Sequence, residues 1–311
     1  MRLTFDIDEM EKIPIIPQKE KEGKGWSYSY VYYLRNLKDI YSVLYKHGGV
    51  SSILQLLAIC KTENVQTENG KEWNGRYLLE FVNALKNFDL LDANNNPIKG
   101  ELFESGLNEP LTAQDKSIFV NIYSSYFRFQ EFHNLFGGFS NRENSMIIYA
   151  YMDNCRFYNR FVCTEKNTVF YIENQHQDMM RFWDVYTKWG TTLQVLNKCS
   201  LPSLEITSLN EELKNAYLLN LSIPIPENFS ILDYVTNVLN SKYIYIPELE
   251  RELIIEYKFS IESIKEKLVF ETNKRCNEFR LQRTSEMLVD SNTKSLLPYV
   301  ENVLMSHLIK L

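Results

Sequence analysis

Residues 260–285 gather Lys265, Lys267, Lys274, Arg275, Arg280 and Arg283 among Glu262, Glu266, Glu271 and Glu278. Six cations thus stand against four carboxylates in a chain whose net charge is −6. Ammonium and guanidinium groups at this density do the chemistry that polyanion backbones require, because they neutralise phosphates and release counterions. A second set runs from Arg76 through Asn83, Lys86 and Asn87 to Lys99. Arginine and asparagine match the hydrogen-bonding edges of guanine and adenine, and a lysine on a following turn suits a phosphate. A solvated, salt-bridged surface accounts for the same residues. Glu262/Lys265 and Glu271/Arg275 have helical pairing distances, and Glu80, Asp89 and Asp92 put negative charge beside the second set.

Catalytic chemistry has one candidate. Asp233 with Glu252-Leu-Ile-Ile-Glu256-Tyr257-Lys258 resembles the Asp…Glu-x-Lys set of the restriction-type nuclease core, where carboxylates hold Mg²⁺ and the lysine orients water. That core needs Glu256 and Lys258 on a strand, whereas Leu249, Leu253 and Tyr257 after Pro247 have the period of a helix. The sequence therefore assigns no catalytic residue and no cofactor. His47, His133, His176 and His307 stand alone. Cys60, Cys155, Cys163, Cys199 and Cys276 have no ligand spacing, which predicts reduced thiols and no metal. No phosphate-cradling glycine loop, GxSxG or HExxH is present.

The elements that must position these residues are mostly helical. Leu37, Ile40, Leu44 and Tyr45 predict a helix that His47-Gly48-Gly49 stops. Ser51 or Ser52 caps a second, with Ile53, Leu56, Leu57 and Cys60 on one face. A third starts near Asn74 and carries the stripe Tyr77, Leu78, Phe81, Val82, Leu85, Phe88. The turn cluster 93–97 between apolar pieces 89–92 and 98–103 predicts a hairpin. Near the other end, Pro247 opens a helix, Ser260 caps another, Phe279–Arg283 alternates as a strand, and 296–311 reads as a closing helix. In between, the spacing predicts a long helix over 112–136 capped by Thr112 with Asp115, a helix over 145–158, and two strands within 161–172. Further helices are expected over 176–189, 208–220 and 230–241, with Gly190 ending the first and the Ile223-Pro-Ile-Pro breaker splitting the others, in the stretch expected to hinge the front half of the chain to the back half. Trp26 to Tyr32 alternates as a strand.

Helix, turn, helix and paired strands, met at 37–103 and again at 247–289, is similar to the order found in tandem winged-helix proteins. The resemblance implies a mainly α fold with small β-hairpins (α+β). It also implies winged-helix units at 1–111 and 230–311, and a helical middle domain at 112–229 with a further helix-plus-hairpin unit within 140–206. Its functional implication is a non-catalytic DNA-binding protein, the recognition or regulatory component of a multi-protein system in defence, replication or transcription. Double-stranded DNA is then the partner, with a protein or a second copy as the other. The alternative is a protein-binding adaptor subunit of a DNA-organising ATPase. No small-molecule ligand is expected. The acidic balance counts against binding by charge alone, and the absence of an apolar run of about 18 residues predicts a cytoplasmic protein without a membrane span.

Overall fold

The computed structural model describes residues 3–16, 30–138, 144–152, 156–173, 176–201, 204–206, 211–213, 216–239 and 241–311. The first half contains β1 (Leu3–Phe5), β2 (Glu11–Pro14), α1 (Leu34–Lys46), α2 (Ile53–Thr62), α3 (Gly75–Asn87), α4 (Ala113–Ser125) and α5 (Phe127–His133). The middle contains β3 (Ile148–Tyr151), β4 (Arg160–Cys163), β5 (Thr168–Tyr171), α6 (Gln177–Thr192), β6 (Leu196–Leu201), β7 (Leu204–Ile206), β8 (Glu211–Leu213) and β9 (Ala216–Leu221). The end contains α7 (Ile231–Val238), β10 (Tyr243–Tyr245), α8 (Ile246–Tyr257), α9 (Ile261–Lys274), β11 (Phe279–Arg283), α10 (Ser291–Lys294), β12 (Tyr299–Val300) and β13 (Val303–Lys310).

The α+β class holds, but a six-stranded sheet, ordered β2-β5-β4-β3-β9-β6, stands where small hairpins were expected. Its β2–β5 pair is parallel and the others are antiparallel. Ile148, Ala150, Phe161, Cys163 and Leu219 turn to a core shared with α1 to α6. Tyr149, Tyr151, Val162 and Leu218 turn to a second core shared with α7 to α9. Burial of β3 and β9 on both faces underlies two corrections. Among the described residues, the helix expected at 145–158 is replaced by β3 with irregular flanks, and the one expected at 208–220 by β8 and β9. A strand covered on both sides reads as a continuous apolar run, which periodicity cannot separate from a buried helix.

At the N-terminal end the three helices form as expected, with Ser52 and Asn74 capping α2 and α3 through Gln55 and Tyr77 N–H groups. The expected hairpin shrinks to one antiparallel bridge, Leu91–Pro97, because the Asp92 carboxylate closes the turn on the Asn94 and Asn96 N–H groups. Gly49, at φ +92°, lies against this turn; a Cβ there would sit 2.1 Å from Asn96 Oδ1. Lys38 is fully buried, its ammonium on the Glu109 carbonyl and 2.8 Å from Asp39, which ties the 104–110 loop to α1. Of the strand expected over 26–32, residues 26–29 lie outside the described ones and Tyr30 to Tyr32 are not a strand; the Val31 carbonyl instead accepts Trp189 Nε1 at 2.9 Å.

Thr112 and Asp115 form a complete capping box at the start of α4. The expected helix over 112–136 breaks at Tyr126, in extended conformation, and resumes as α5, which brings Phe129 and Phe132 onto Phe182 and Trp183 of α6. α6 runs through Gly190 rather than ending at it. A Cβ at 190 would meet Leu196 and the Tyr123 hydroxyl within 2.6 Å, so that glycine serves close packing.

The last 82 residues follow the order α7–β10–α8–α9–β11–β13, with a sheet ordered β10-β13-β11 in which both pairs are antiparallel. The helix expected at 296–311 is β12 and β13 over most of its length: Leu304, Ser306 and Leu308 alternate inward with period two. Ile223, in the expected hinge, is bridged to Phe259 beside the α8–α9 turn.

Candidate functional site

α9 buries Ile261, Ile264, Leu268 and Thr272, and so turns Glu262, Glu266, Phe270, Asn273 and Lys274 to solvent. The cations singled out in the sequence are not gathered on that face. Lys265 donates to the Ser295 carbonyl, and Lys267 to the Pro226 and Glu227 carbonyls at 2.9 and 3.1 Å. Arg275 pairs with Glu278 at 2.6 Å and Asp233 at 2.7 Å, and both carboxylates push its pKa further up. The Lys274 ammonium lies 4.2 Å over the Phe270 ring. Arg280 and Arg283 are exposed on the edge strand β11. Register puts Arg280 in a row with Ile309 and Tyr243, and Gln282 in a row with His307 and Tyr245, whose rings are 5.2 Å apart.

On α3, Arg76 is exposed and Asn83 half-buried on the outer face. Lys86 turns back onto the Ala93 carbonyl at 3.0 Å. Asn87 is half-buried with its amide nitrogen unbonded among the described residues. Lys99 is exposed just past the Leu91–Pro97 bridge, and its carbonyl accepts the Tyr41 hydroxyl.

The nuclease set is not assembled. Asp233 lies on α7 against Arg275, Glu256 lies on α8 and accepts from the Tyr234 hydroxyl, and Lys258 caps α8 at φ +60°, 3.7 Å from Glu165. Among the described residues no group of three or more His, Cys, Asp or Glu is placed to hold a metal ion. His133 is buried between the Tyr186 hydroxyl and the Tyr123 carbonyl, and burial lowers its pKa to about 4. His47 sits 2.7 Å from Glu63, and His307 bonds Ser306. Cys60, Cys163 and Cys199 are buried free thiols whose pKa values burial raises, Cys276 is exposed, and Cys155 lies outside the described residues.

Sequence reasoning missed a cleft of about 460 Å³ where α6, β6 and β9 meet the approach to α1 and the stretch after α10. Asp184, Thr187, Lys188 and Thr191 line it from α6, Lys198 and Ser200 from β6, and Tyr217 from β9. Tyr32, Tyr33 and Ser295 close the edges. The signal was present: 184, 187, 188 and 191 recur at helical spacing opposite the Phe182, Trp183, Tyr186, Trp189 stripe. Burial raises the Asp184 pKa to about 6, against the opposing pull of Lys198. Burial also lowers that of Lys198, partly offset by Asp184 and reinforced by Lys188. No ion pair joins Asp184 to Lys198 among the described residues.

No known protein family, no curated protein and no solved structure matches this chain. Among the described residues, no helix is long and apolar enough to cross a membrane.

Proposed function

We propose that this chain is a non-catalytic recognition protein with a winged-helix unit at each end, within a multi-protein system that acts on DNA. Residues 1–111 meet double-stranded DNA and residues 230–311 dock on a protein. The strand order β10-β13-β11 around α8 and α9 supports a winged helix at the C-terminal end, with α9 as its outward helix and residues 284–302 as its wing. At the other end α1, α2 and α3 followed by the Leu91–Pro97 turn support the same plan with a reduced wing.

The division of labour rests on where the cations point. In the C-terminal unit Lys265, Lys267 and Arg275 already serve internal carbonyls and carboxylates, and Glu262 and Glu266 occupy the outward face of α9, which repels phosphate. The same unit exposes Phe270 (57%), Tyr243 (59%), Met287 (97%) and Leu288 (84%), a composition that suits a protein interface. In the N-terminal unit Arg76 and Lys99 are exposed and Asn83 shares the outer face of α3 with Arg76.

Mobility shifts on mixed duplexes, at low and moderate salt, test the DNA arm. The wild type is expected to shift DNA at low salt, Arg76→Glu/Lys99→Glu to weaken the shift, and Phe270→Glu/Leu288→Glu to leave it intact. No shift at low salt overturns this arm. Nuclease-treated co-purification tests the other, and a partner retained by Phe270→Glu/Leu288→Glu overturns it. A second reading, DNA contact at both ends, is favoured by the exposure of Arg280 and Arg283 on β11; it requires Arg280→Glu/Arg283→Glu to weaken the shift as much as the N-terminal pair does.

A further inference from the structure

We propose that the cleft between α6 and β6 is a binding site for a small phosphorylated polyhydroxy compound, between a sugar phosphate and a mononucleotide in size. The phosphate sits between Lys188 and Lys198, and Asp184 takes a hydroxyl. Most of its lining comes from α6, β6 and β9, and Ser295 of the C-terminal wing closes one edge.

Four observations converge on it. First, the space is a real recess of about 460 Å³, within the range that small-molecule sites occupy. Second, two ammonium groups from different elements reach it along tyrosine rings. Lys198 Nζ lies 3.9 Å from the Tyr217 ring centroid, and Lys188 Nζ lies 5.5 Å from that of Tyr33. Each lysine is thereby held by its ring with its charge unpaired by any carboxylate among the described residues, and the two repel each other. One carboxylate, Asp184, shares the recess with two cations, so an ionised site keeps a net positive charge that an anion neutralises. Third, the remaining polar walls are hydroxyls, from Thr187, Thr191 and Ser200, which suit a hydroxyl-bearing ligand better than an apolar one. Fourth, both the acid and Lys198 are held away from their ordinary ionisation by burial, as happens where charge is kept for an incoming partner.

Position adds a consequence. Ser295 belongs to the stretch between β11 and β13, Tyr33 leads into α1, and Asp184 stands on α6, so one ligand touches residues of all three parts of the chain.

Calorimetric titration of the full chain with ribose 5-phosphate, adenosine monophosphate and inorganic phosphate tests the site. The expected result is binding of the two organophosphates, with inorganic phosphate weaker. Lys198→Met and Lys188→Ala should each weaken binding about tenfold or more, the loss of one charge-assisted contact. Lys188 is exposed, so its variant is expected to fold normally even if Lys198→Met does not. A preference for adenosine monophosphate over ribose 5-phosphate assigns the site to nucleotides, and the reverse assigns it to sugar phosphates. No binding of either organophosphate at millimolar concentration, or binding unchanged in folded Lys188→Ala, overturns the proposal.

Discussion

Asp184→Asn is expected to make the folded protein more stable, the reverse of what a structural residue would do. In the fold the Asp184 carboxyl is largely desolvated and forms no ion pair with Lys198, and burial raises its pKa from 3.8 to about 6. The sign follows from linkage. The folded state binds this proton more tightly than the unfolded chain, so ionised Asp184 opposes folding above pH 6, and protonation relieves that cost as pH falls toward 4. The full gap corresponds to about 3 kcal/mol at pH 8, at 1.36 kcal/mol per pKa unit. Solvent in the open cleft screens part of it, and the amide no longer attracts Lys198, which brings the expected gain to about 1–2 kcal/mol. Urea midpoints of wild type and Asp184→Asn, at pH 8, 6 and 4, measure it. The gap should be largest at pH 8 and close by pH 4. A variant less stable than wild type at pH 8, or a gap that ignores pH, refutes the reasoning and returns Asp184 to an ordinary supporting role.

His133 works in the opposite direction. Its neutral ring, at about 4 against an ordinary 6.5, withdraws about 3 kcal/mol of stability as pH falls from 6.5 to 4, so His133→Asn should start less stable at pH 7 yet show a flatter acid slope; parallel slopes in urea titrations sink this. Gly49→Ala should lower stability by about 1–2 kcal/mol, because φ of +92° is strained for alanine and its Cβ meets Asn96. Adding Asn96→Ala should recover the steric part, and a thermal melt in which the double variant is no better than the single one contradicts the contact.

Local chemistry was legible wherever one face of an element met solvent. The α1 to α3 stripes, the start of α3 near Asn74, the Ser52, Thr112 and Ser260 caps and the turn at Phe259-Ser260 all follow from residues within a few positions of one another. The failures have separate physical causes. β3 and β9 are covered on both sides, by α6 and its neighbours on one face and by the α8–α9 layer on the other, so no polar alternation marks them. β13 hides its period differently: outward-facing Val303, Met305 and Ile309 are apolar too, and only burial separates them from Leu304 and Leu308. Gly190 misled because its role is the absence of a side chain against Tyr123, a residue 67 positions away.

The same distinction governs the site. A count of lysines and arginines over 260–285 records surplus charge but not its use. Lys267 is answered by carbonyls 40 and 41 positions upstream and Arg275 by Asp233, 42 positions upstream, partners that no local window contains. Arg280 and Arg283 stay exposed because β11 is an edge strand, which is itself a fact of topology. The cleft reverses the case: Lys198 is the one charged residue of a strand of mixed polar and apolar residues, where a lone lysine looks incidental, yet the fold sets it near an unpaired carboxylate and a second ammonium. Charge left unanswered inside a recess is costly to maintain, whereas charge left unanswered on a surface is nearly free. On that ground Asp184 and Lys198 carry more functional information than the six cations of the C-terminal unit, although the sequence advertises the latter and conceals the former.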